Sequence, residues 1–163
     1  MLRRDSVGRV ARDWALFLHL LGVLVFVGAS AAVTALRLLA IGKERPSESA
    51  LLLRAVRPLV PFVGVGLLLT VGAGVWLAHE LRFSYGSGWL LWTYALIAWL
   101  VVVGAAAGGL DRRTRELAER LATDDDERSP ELDGRLRDPA ALLLDASMLA
   151  ATLAIVALMV WRP

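Results

Sequence analysis

The chain has no cysteine, two histidines and a single lysine, Lys43, among its 163 residues. Without cysteine there is no disulfide, no thiolate metal site and no cysteine nucleophile. GxGxxG, a P-loop and serine-nucleophile spacing are also missing, so nothing points to a hydrolase, a kinase or a nucleotide site. Neither sign of charge is in clear excess: 18 basic against 16 acidic residues give +2, and the high isoelectric point implies no nucleic-acid partner. What is abundant is apolar surface. Hydrophobic residues make up 57% of the chain, with a mean hydropathy of +0.59, against roughly 45–50% apolar in a soluble domain. They are gathered into long runs, which excludes a disordered chain and points to a single integral membrane domain.

A helix crosses the ~30 Å hydrocarbon core with about 20 apolar residues. Four stretches qualify, and they predict transmembrane helices at about residues 14–41, 58–81, 89–110 and 139–161, with a cytoplasmic linker at 111–138. Each must satisfy its backbone amides within its own segment, so each is a helix. The predicted fold is all-α: a four-helix transmembrane bundle of antiparallel up-down topology with cytoplasmic helical extensions. Ala29-Ser30-Ala31 has the small residues of a signal-peptide cleavage site, but the apolar run continues past it to Arg37, so the first span is read as retained.

Basic residues set the expected orientation. Arg3, Arg4, Arg9, Arg12, Arg82 and Arg162 fall on one side; the opposite side holds eleven, including Lys43, Arg54, Arg57, Arg112, Arg113 and Arg137. Both termini are therefore expected outside, and loops one and three in the cytoplasm. Trp14, Trp76, Phe83, Tyr85, Trp89, Trp92 and Trp161 cluster near the outer interface, as an aromatic belt does.

Both inner loops are expected to continue helically. Ser47-Glu48-Ser49 caps a run that leads to Pro58 and Pro61, and after Asp111 the stretch RRTRELAERLA pairs charges four residues apart. Asp124 to Glu127 and Ser129-Pro130 read as a solvated linker. Close helix packing in lipid relies on small residues, here Gly22 and Gly28, Gly64 to Gly74, and the Gly104/Gly108 pair. Packing within the bundle is favoured, with a homo-oligomer or other membrane subunits left open.

Ionisable groups inside a membrane are the informative ones. His19 and Arg37 lie eighteen residues apart, five turns at about 3.6 residues each, so they share one stripe of the first helix. Asp145 lies at matched depth in the fourth span, which makes Arg37 and Asp145 a candidate structural ion pair. The two histidines form the second candidate. His79 ends the second span where His19 begins the first, so antiparallel neighbours bring both to one face of the membrane within about one turn of depth. Two neutral imidazoles could ligate a haem iron or a metal; alternatively His79 is merely interfacial and His19 bonds a backbone carbonyl.

The pattern Leu18-His19-x-x-Gly22-x-x-x-Phe26-Val27-Gly28 resembles the first-helix signature of an uncharacterised family of bacterial predicted integral membrane proteins, four-helix domains of unknown function. Leu69-Thr70 followed by glycines, Gly88-Trp89 and an Arg-rich end to the third helix fit the same family. More distantly, the first helix is similar to the copper-resistance protein D family and to the haem-associated protoporphyrinogen oxidase family. That similarity implies haem binding for His19 alone; the third-helix lysine of the oxidase family has no counterpart between Gly88 and Leu110. The first functional reading is thus a small polytopic membrane protein with haem b or a metal held at its outer face by His19, either alone or together with His79. The alternative is a cofactor-free accessory or structural membrane protein. A small transporter using a polar path past Ser30, Thr34, Arg37 and Asp145 ranks third, for want of an inverted repeat or broken helix.

Overall fold

Long uncharged runs give long helices. The computed structural model describes residues 2–81, 87–124, 126–127 and 129–161, with side chains described from Gly8 onward. Arg3, Arg4, Arg82, Phe83, Tyr85, Arg128 and Arg162, which entered the readings of orientation and aromatic belt, lie outside these described positions or side chains. Among the described residues the order is α1 (Leu2–Ile41), α2 (Pro46–Val56), α3 (Val60–Glu80), α4 (Gly88–Thr123), α5 (Pro130–Leu136) and α6 (Pro139–Trp161), with no strand. Four helical stretches are long and apolar enough to cross a membrane. Large apolar side chains point outward on every one: Leu24 is 70% exposed, Leu68 75%, Val102 64% and Leu143 70%. Exposure on that scale fits a lipid surround and not water.

The chain divides into two compact units, and α1 contributes to both. The first unit pairs residues 1–35 with 56–84 and is dominated by α1 against α3. Glycine sets their distance. A Cβ built on Gly22 would stand 2.5 Å from the Thr70 amide nitrogen, and one on Gly66 would stand 2.5 Å from the Phe26 nitrogen. Only a residue without a side chain permits such backbone approach. Gly22 meets Thr70, and further along α1 Phe26 meets Gly66, so the two helices run antiparallel.

The second unit comprises residues 36–55 and 85–163. Here α6 packs along α4, and a Cβ on Gly104 would lie 3.7 Å from the Met148 methyl. Its other end is a small cap. Ala40, Ala50, Leu53, Ala118 and Leu132 are buried together, with Leu117 and Leu121 packed against them. Alanines at α1, α2 and α4 let three helices approach, and leucines fill the space left between them. Two polar links pin the cap. Arg54 Nε lies 2.8 Å from Glu119, and Asp126 accepts bonds from both the Ser47 amide and hydroxyl at 2.8 Å. Asp126 has φ 50°, a left-handed conformation that aspartate tolerates, and its carboxylate caps the start of α2 from a distant part of the chain.

The segment read as a solvated linker is therefore partly structural. Ser129 is an N-cap that accepts from the Glu131 amide, Pro130 opens α5, and Leu132 is 4% exposed in the cap core.

Gly22→Ala and Gly66→Ala are expected to destabilise the protein by about 1–3 kcal/mol through forced separation of α1 and α3. Gly72→Ala, where a Cβ meets nothing within 4 Å, is expected to be neutral or mildly stabilising. Thermal unfolding of the three variants in one detergent checks the contrast.

Candidate functional site

The imidazole of His19 crosses from α1 to α3. Its Nδ1 lies 2.8 Å from the Thr70 carbonyl oxygen, and the residue is 9% exposed. A carbonyl only accepts, so Nδ1 carries the proton and donates. In the neutral ring the lone pair is then on Nε2. Thr70 is prepared for this by its neighbours. Its own hydroxyl donates back to the Gly66 carbonyl at 2.8 Å, so it does not compete for the His19 ring, and the Thr70 carbonyl uses its second lone pair for Nδ1. Gly74 makes room for the ring: a Cβ there would lie 3.1 Å from Nδ1 and 3.2 Å from Cε1.

The structure does not bring His79 to His19. His19 sits level with Thr70 and Gly74, whereas His79 lies five residues beyond Gly74, ~7.5 Å further along α3. It is also turned roughly 180° from Thr70 about the helix axis. Its side chain is exposed. Gly72 shares the His79 face, and the space beside it is open.

At the other end of α1 lies a cluster of charges within the second unit. Arg37 Nη1 donates to both carboxylate oxygens of Asp145 at 2.9 Å, and Arg37 Nε lies 3.0 Å from Asp111 Oδ1. The three side chains are 16%, 22% and 20% exposed respectively. One guanidinium thus joins α1, α4 and α6. Asp111 is the first residue beyond the apolar run of α4. Burial pushes its carboxyl up from the ordinary value, against the lowering pull of Arg37. Sequence reasoning paired Arg37 with Asp145 by depth and missed Asp111. The available signal was position: Asp111 is the first charge after the third span, at the same end as Arg37.

Elsewhere the charges are arranged as on a solvated face. Arg112 lies 2.8 Å from Glu116, and Arg135 lies 2.9 Å from Glu131, each pair four residues apart. Trp14, Trp76, Trp92 and Trp161 are all exposed, as ring-bearing residues at a membrane surface are. Among the described residues no three histidine or acidic side chains are grouped so as to hold a metal ion.

Four membrane-length apolar helices, paired through glycine contacts and two polar links, define a small polytopic integral membrane protein. Comparison with known families makes this specific. Residues 14–163 match the family described as Predicted integral membrane protein (DUF2269), and the chain belongs to it. No curated protein and no solved structure matches the chain.

Arg37→Leu leaves two carboxylates unpaired and is expected to destabilise by on the order of 3 kcal/mol. Asp145→Asn is expected to be milder, since Arg37 keeps Asp111. Unfolding of both variants in a detergent titration measures the order.

Proposed function

We propose that this integral membrane protein holds a haem through His19. The observation that carries the reading is the 2.8 Å bond from Nδ1 to the Thr70 carbonyl, which fixes the ring and leaves Nε2 as the donor atom for iron. Ligating histidines are commonly oriented by such a bond on their other nitrogen. A lone imidazole is a poor site for a bare metal ion, which takes three or four protein ligands. A porphyrin brings four nitrogens of its own, so one or two side chains suffice. The first-helix resemblance to haem-associated families supports the same class of ligand. When bound, haem would supply one-electron chemistry. His79, on another face of α3, has no part in this version of the site. The excess of Lys and Arg at the α2 and α4–α5 end supports placing that end in the cytoplasm and His19 near the outer surface.

A second reading has its own support. The Thr70 bond and the room left by Gly74 equally suit a histidine whose whole task is to fasten α1 to α3, in a cofactor-free structural or accessory protein.

An absorption spectrum of protein purified from a haem-replete host separates the two. The haem reading expects a Soret band that His19→Ala and His19→Asn both abolish and His79→Ala retains. The fastener reading expects no band in any of them. It also expects His19→Asn, which keeps an N–H donor for the Thr70 carbonyl, to unfold at a higher temperature than His19→Ala.

A further inference from the structure

Near the end of the apolar run of α4, one glycine packs and two do not. A Cβ on Gly104 would lie 3.7 Å from the Met148 methyl of α6, whereas one on Gly108 or Gly109 meets nothing within 4 Å. Glycine weakens a helix relative to alanine, and here it gains no neighbour from the rest of the chain. Beside this open turn stands a cation. Arg113, one turn beyond Gly109, is exposed and makes no ion pair among the described residues; Arg112, by contrast, lies 2.8 Å from Glu116. Helical side chains lean toward the helix N-terminus, so the Arg113 stem runs back over Gly109 toward the apolar run. Ala106 and Val102, two and three turns before Arg113 on the same face, are exposed as well. The face thus joins an uncompensated positive charge, where the apolar run ends, to a shallow strip of small apolar residues.

We propose that this face of α4 binds an anionic phospholipid, with the headgroup phosphate at Arg113 and one acyl chain along Gly109, Ala106 and Val102. The two halves match an amphiphile. A guanidinium meets a phosphate through paired N–H donors, and the strip below gives a methylene chain a shallow channel to lie in. A zwitterionic lipid offers the same phosphate but carries its own cation beside it, so the net negative headgroup gains more from Arg113. A second copy of the chain suits the face less well. Two copies inserted in one orientation pair about a two-fold axis along the membrane normal, which sets Arg113 against Arg113.

Native mass spectrometry of the purified full chain in detergent, titrated with phosphatidylglycerol or with phosphatidylcholine, reads the affinity for the first bound lipid. The wild type is expected to bind phosphatidylglycerol more tightly than phosphatidylcholine. Arg113→Gln should weaken the first phosphatidylglycerol about fivefold, the worth of one arginine at a membrane surface. Arg137→Gln removes the same charge from another exposed position at this end and should leave that affinity in place. Gly109→Leu keeps every charge but fills the strip, and should weaken binding too. Equal affinity of the wild type for the two lipids would overturn the proposal. So would a loss in Arg137→Gln as large as that in Arg113→Gln, or a Gly109→Leu variant that binds as the wild type does.

Discussion

Lipid gives helices no hydrophobic reason to adhere to one another, because acyl chains are as apolar as leucine. Everything that holds this protein together inside the membrane must therefore come from close backbone contact and from polar groups that have no water to turn to. The α1/α3 pair shows both at once. Gly22 and Gly66 bring the backbones together, and that approach puts the His19 ring within reach of the Thr70 carbonyl. Neither feature works alone. With bulkier residues at the crossing the imidazole would lose its acceptor, and an unsatisfied polar ring in hydrocarbon costs several kcal/mol by general estimates.

The second unit solves the same problem with charge. A single arginine ties three helices through two aspartates, and all three side chains are largely covered, so each charge needs a partner. Beyond it the cap returns to the ordinary physics of water, with leucines and alanines buried against one another and ion pairs outside. The helical extensions thus share a small core of leucine and alanine with charged pairs on its outside. The charged surface of that core hides its apolar face from a hydropathy reading.

What could be read from the letters alone follows a physical division. The four spans are legible because the bilayer imposes a length and a polarity that few residues can disguise. Depth is legible too, since rise per residue is fixed, and it is depth that points from Arg37 to Asp145. Azimuth and register are not. His19 and His79 share an end of their helices, yet the register set at Gly22 and Thr70 brings His19 level with Gly74 and leaves His79 beyond it on another face. The Thr70 carbonyl was invisible because a backbone acceptor has no sequence signature. Leu132 was missed because one buried leucine in an acidic stretch shows no periodicity.

The absence of cysteine makes the central claim, the α1/α3 register, directly accessible, because introduced thiols report without background. The decisive measurement is cross-linking of double-cysteine variants in membranes with a short bifunctional thiol reagent. The account predicts efficient linkage for His19→Cys with Gly74→Cys and none for His19→Cys with His79→Cys. Linkage of the second pair in preference to the first would contradict it.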